Sequence, residues 1–198
     1  MVRLELVLYK KKYSLNQAYK IFVKAARMLP TFRKARKAQI LSEQFIKRIM
    51  LAVTEVNGCE VCSYEHAKTA LELGMTEEEI HSLLSGSQTH IPVNQGKAIY
   101  FAQHYADQEG EPSLQAWEEI VDHYGKVKAE AILSTTRIIM FGNCFGLVLS
   151  ALKSRMKGER IEGSSLGYEL GMLASLLFII PIGSLHALLE AFFKKPLI

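Results

Sequence analysis

In the run Asn57-Gly58-Cys59-Glu60-Val61-Cys62-Ser63-Tyr64-Glu65-His66 two thiols stand three positions apart and an imidazole follows four later. If Gly58 closes a connection and a helix begins near Cys59, the three groups fall at i, i+3 and i+7 and share one face. A thiol pair at this spacing can close a disulfide across one helical turn. A helix N-terminus and a neighbouring imidazole both favour the thiolate, the form that does chemistry. A thiolate that attacks a hydroperoxide becomes a sulfenic acid, and a second thiol within reach condenses with it to a disulfide and water. His66 lies at the direct-neighbour spacing from Cys62 and is the natural base. Zinc binding by Cys59, Cys62 and His66 lacks a recognisable second pair of ligands.

The same residues carry a resemblance. The CxxCxxxH core follows an apolar helix ending in Asn57-Gly58. An Ala-rich helix, Gly74 and a new helix start at Thr76 come after it. This pattern, strongest over Leu51 to Leu84, resembles the AhpD-like alkylhydroperoxidases of the carboxymuconolactone decarboxylase superfamily. The resemblance implies an all-α, oligomeric thiol peroxidase acting on a hydroperoxide. The leading reading takes a protein or small-molecule dithiol as reductant, and no cofactor and no metal are expected. Together with the spacing the resemblance points to Cys62 as the attacking thiol and Cys59 as the resolving one. The reverse order stays open, because Cys59 would lie nearer the helix amides.

The resemblance also places a glutamate about twelve residues before the first cysteine, and here that position is Lys47. Glu55, four residues before Cys59, is the candidate to replace it, and Glu43 a more distant one. A histidine found between the cysteines in some relatives is Val61 here. Two other readings compete with the peroxidase. One is the lactone decarboxylase after which the superfamily is named, which needs acid–base groups but no redox dithiol. The other is a non-catalytic helical interaction protein.

The elements that must position these groups read as helices throughout. Leu15 to Met28 carries an apolar stripe that Pro30 interrupts, and a second helix runs from about Arg33 to Val56. Cys59 to Leu73 makes the next. Thr76 with Glu79 has the spacing of a capping box for another. Gln95 to Asp107 and a short amphipathic helix holding Trp117, Ile120, Val121 and Tyr124 follow, separated by a loop. A long apolar helix spans Val127 to Met156, with Cys144 as a core thiol. Its Arg137-to-Cys144 run faintly echoes Arg48 to Cys59, as a degenerate internal repeat would. Leu4 to Leu8 is the only strand candidate.

Leu166 to Phe193 is the most apolar stretch. Glu169, Gly171, Pro181, Gly183, His186 and Glu190 interrupt it, which argues against a membrane span and for a buried or subunit-facing helix pair kinked near Pro181. It is also the expected homo-oligomer contact.

With 198 residues, 49% of them hydrophobic, the chain suits one domain over its whole length, with a basic N-terminal region and an apolar C-terminal helical segment. The net charge of +4 is modest. The basic residues crowd the first fifty positions, but no aromatic-interleaved motif accompanies them, so nucleic acid is not an expected partner. An odd cysteine count and the lack of a secretory pattern favour the cytoplasm, where a dithiol can be re-reduced.

Overall fold

Ser14 begins the first helix with a reciprocal cap, its hydroxyl accepting from the Gln17 amide while the Gln17 side chain accepts from the Ser14 amide. This helix, α1 (Leu15–Lys37), belongs to a computed structural model that describes residues 11–198 except 88, 160 and 162. The strand candidate Leu4 to Leu8 lies outside the described residues. Among those described, eight α-helices and one 3₁₀ turn account for all regular structure, and the fold is all-α.

Two boundaries differ from the sequence reading. Helix α1 continues through Pro30 to Lys37, because Pro30 lies exposed, on the side where a carbonyl left without its amide can turn to water. The break comes later, where Gln39 adopts a left-handed φ of 51° and the Ser42 hydroxyl caps α2 (Glu43–Asn57). The α2 helix is therefore shorter at its start than the run from Arg33. Helices α3 (Glu60–Glu72) and α4 (Glu77–Leu84) follow. Thr76 caps α4 as its spacing suggests, but the Glu79 carboxylate does not return to complete the box. It is drawn to Arg48 of α2 at 2.5 Å.

After a 3₁₀ turn at Val93–Gln95 come α5 (Gly96–Asp107), α6 (Leu114–Tyr124), α7 (Lys126–Met156) and α8 (Leu166–Phe192). The centre of the molecule is α7, which touches α1, α2, α3, α5, α6 and α8. Its Ile132, Leu133, Met140 and Leu147 are among the most deeply buried side chains. The faint echo between α7 and α2 does not extend to the backbone. Gly58 turns left-handed and ends α2, whereas Gly142 lies inside the continuous α7.

The C-terminal segment is one helix rather than a pair, and it runs through Pro181, which is again exposed. Nor is it buried. Both α7 and α8 are long and apolar enough to cross a membrane, but 78% of the apolar window of α7 is buried in the bundle against 22% for α8. Only one face of α8 packs inward. Gly183 lets it approach Phe22 of α1 so closely that an added Cβ would stand 2.5 Å from the ring. At its start a two-pronged ion pair joins Glu169 to Arg155 of α7, both contacts 2.8 Å.

Candidate active site

Gly58 takes the left-handed conformation that ends α2, and the Thr54 carbonyl accepts its amide at 2.8 Å. The chain then turns so that Cys59 becomes the N-cap of α3. Its sulfur takes the place a cap oxygen usually fills and accepts from the Cys62 amide at 3.3 Å. The two sulfurs are bonded to each other as a disulfide, across a Cα separation of 5.3 Å. Cys59 is fully buried, and Cys62 is 9% exposed. The Ser150 hydroxyl of α7 accepts from the Val61 amide at 3.3 Å, satisfying one of the open donors of the helix start.

Helix α7 forms the floor of the site. A Cβ on Gly146 would lie 2.6 Å from the Cys59 sulfur and closer still to that of Cys62, so only glycine lets the disulfide rest on this helix. Four residues earlier, the Gly142 carbonyl lies 3.9 Å from the Cys62 sulfur. Asn143, between them in sequence, is fully buried and accepts from the Thr54 hydroxyl at 3.1 Å, tying α7 to the end of α2. Gly146 and Ser150 have no place in a reading built on cysteines and histidines. The signal that could have found them is the four-residue spacing of Gly142, Gly146 and Ser150 along one face of an apolar helix.

His66 lies one turn beyond Cys62, half-buried, with its Nδ1 3.4 Å from the Nζ of Lys47. Burial first, and the lysine charge second, lower its pKa from the usual 6.5 to about 4. The imidazole is therefore neutral at neutral pH. Lys47 is itself held below the ordinary lysine value, by burial and then by Arg36, against the opposing pull of Glu43 and Glu72.

The position where the resemblance expects a glutamate thus does face the histidine, but with a cation. Glu55 is half-buried, and its carboxylate lies 3.6–3.7 Å from where a Cβ on Gly86 would stand, just past α4. Glu43 is paired with Arg36, its nearest oxygen 2.7 Å from the guanidinium. Arg48, next to Lys47, turns the other way to Glu79 and Gln95. The third cysteine, Cys144, is fully buried, and its thiol is pushed up to about 12 by burial. Among the described residues no three His, Cys, Asp or Glu side chains converge to hold a metal ion.

A polar cleft of about 220 Å³ flanks the site between the first turns of α3 and the end of α7, lined by Glu60, Val61, Tyr64, Ser150 and Lys153 among others. The helical hairpin that carries the cysteines is the part of the chain with a known counterpart. Residues 24–89 match the carboxymuconolactone decarboxylase family. The match covers about a third of the chain, from within α1 to just past α4. It contains Lys47, Glu55, Cys59, Cys62 and His66, while the glycine floor on α7 lies outside it. No curated protein and no solved structure matches the chain.

Proposed function

We propose that the chain is a thiol-dependent peroxidase that reduces alkyl hydroperoxides. The observation that carries this reading is the disulfide between Cys59 and Cys62, set at a helix N-terminus one turn from a neutral imidazole. In the reduced protein a Cys62 thiolate attacks the terminal oxygen of the hydroperoxide. The S–O bond forms as the O–O bond breaks, giving a sulfenic acid and, with one proton, an alcohol. The Cys59 thiol then displaces hydroxide from that sulfenic sulfur, and with its own proton this leaves as water. A dithiol reductant, protein or small molecule, restores the pair, which suits a cytoplasmic setting.

Cys62 is the better attacker because it keeps 9% exposure, while Cys59 is fully enclosed. His66 is the acid–base partner. Glu55 is the candidate carboxylate of such a relay. Lactone decarboxylation, the activity that names the matched family, is the alternative, but it makes no use of a second sulfur beside the first.

The test is a mass measurement on the reduced full-length chain after one equivalent of an alkyl hydroperoxide. Loss of two hydrogens confined to the peptide holding Cys59 and Cys62, with Cys144 unmodified, is the expected result. Serine at either position should abolish turnover and leave the helix content unchanged. Full activity in both serine variants would exclude the dithiol mechanism.

The protein also acts as a homo-oligomer in this proposal, through α8. Ten of the Leu, Ile and Phe side chains along that helix stand 47–78% exposed. A second copy covers them better than a bilayer would. Since α8 lies along α1, a crossing would carry the exposed Lys20 and the Arg27–Glu190 pair towards the hydrocarbon.

A further inference from the structure

The contact between Lys47 and His66 sets the direction in which the imidazole can move a proton. A lysine ammonium has donors only, so at 3.4 Å it donates to Nδ1, and a neutral ring that accepts at Nδ1 carries its single proton on Nε2. We propose that Lys47 is a positioning residue that holds His66 as its Nε2–H tautomer, making His66 the proton donor to the oxygen that leaves the hydroperoxide. This rests on the peroxidase reading and specifies its acid–base step.

In that step the Cys62 thiolate forms the S–O bond and the O–O bond breaks. The departing alkoxide takes the proton from His66 Nε2. Nδ1 takes one from the Lys47 ammonium. Lysine and imidazole both end neutral, and water returns a proton to Lys47 and resets the ring before the next turnover. The thiolate is favoured by the N-terminal dipole of α3, which begins at the Cys59 cap.

The surrounding charges permit this arrangement. Arg36 of α1 and burial ease loss of the Lys47 proton, Glu43 of α2 and Glu72 of α3 oppose it, and Glu43 is already engaged by Arg36. From α4, Glu79 is taken by Arg48, while Glu77, Glu78 and His81 line a separate cleft with His90. Helix α7 meets α3 through Gly142, Gly146 and Ser150, which do not ionise, and its Lys153 and Lys157 line the polar cleft with Glu60 and Glu65.

Two measurements on the reduced full-length protein test the proposal. Long-range ¹H–¹⁵N correlation at pH 7 should find the His66 proton on Nε2. Lys47→Glu should move it to Nδ1, and Lys47→Arg, which keeps a cationic donor, should leave it on Nε2. A wild-type ring protonated on Nδ1 overturns the proposal even if no variant folds.

The second measurement compares oxidants. An alkoxide needs a proton to leave, whereas the carboxylate released from a peracid does not. Lys47→Met should therefore slow reaction with tert-butyl hydroperoxide roughly a hundredfold, the scale of lost general-acid catalysis, and barely change that with peracetic acid. An equal loss with both oxidants would reduce Lys47 to a structural role. A wild-type protein inactive towards both would instead sink the peroxidase reading, while the tautomer still decided whether Lys47 orients His66.

Discussion

His66 is uncharged in the fold at neutral pH, and this leaves a trace in stability. An ordinary histidine binds its proton near pH 6.5, whereas His66 does so only near about 4. Between those values the unfolded chain holds a proton that the folded chain does not. Acidification therefore favours unfolding, starting as pH falls through about 6.5 and reaching its full extent below about 4, and above that window the group has no effect. His66→Gln should flatten the loss of stability between pH 6.5 and 4, by less than the ~1.4 kcal/mol per pH unit that one proton can contribute. Urea titrations of both proteins at pH 7 and pH 4.5 measure it, and parallel pH profiles would show that the imidazole is not held neutral. At this scale the sequence was most informative. Cys59, Cys62 and His66 were legible from type and spacing, because one helical turn sets their neighbours whatever the rest of the fold does. The direction of the Lys47 side chain was not, since a lysine that meets a histidine nineteen residues later does so only when two helices pair.

At the scale of elements, the disulfide depends on how closely α7 passes beneath α3. Gly142 and Gly146 lie one turn apart on that helix, yet only the second is required by space. A Cβ on Gly146 runs into both sulfurs, while one on Gly142 meets nothing nearer than Ile139 at 3.8 Å. Gly146→Ala should cost about 1–3 kcal/mol, as overpacking of a tight contact does, and should also slow closure of the Cys59–Cys62 bond. Gly142→Ala should be neutral or gain up to about 1 kcal/mol from helix propensity. Thermal unfolding together with the rate of peroxide-driven disulfide formation checks both. Equal behaviour of the two alanine variants would mean that α7 does not press on the sulfurs.

For the whole molecule the open question is what covers α8. Its inner face is committed: Gly183 against Phe22, the Tyr19 hydroxyl 3.0 Å from His186, and Arg27 near Glu190. Its outer face carries Leu177 at 76% and Phe178 at 67% exposure, with Leu185, Leu188 and Phe192 continuing the same surface. Apolar surface of this extent usually marks an association site. Replacing Leu177 and Phe178 together with glutamate should dissociate the proposed homo-oligomer while leaving the helix content intact. Light scattering at micromolar concentration reads the result. A wild-type protein that is already a stable monomer would remove the subunit interface, and one that sediments only with lipid vesicles would assign the surface to a membrane.

The sequence by itself determined the helical class, the cap at Thr76, the turn at Gly58 and the thiol pair with its histidine. Each is fixed by contacts within one turn or one connection, where residue type and period dominate. The fate of Pro30 and Pro181 was decided by tertiary structure, because an exposed helix face tolerates a missing amide that a buried one would not. The diversion of Glu79 from its own cap to Arg48 was decided the same way, since a partner from another helix outcompeted the local one. So was the glycine floor, eighty-four residues beyond Cys62, whose four-residue spacing marks a close helix approach but not what it approaches. Packing brings together groups that the chain separates, and the physical form of the site, a disulfide seated on α7 beside an imidazole held by Lys47, exists only once that packing is in place.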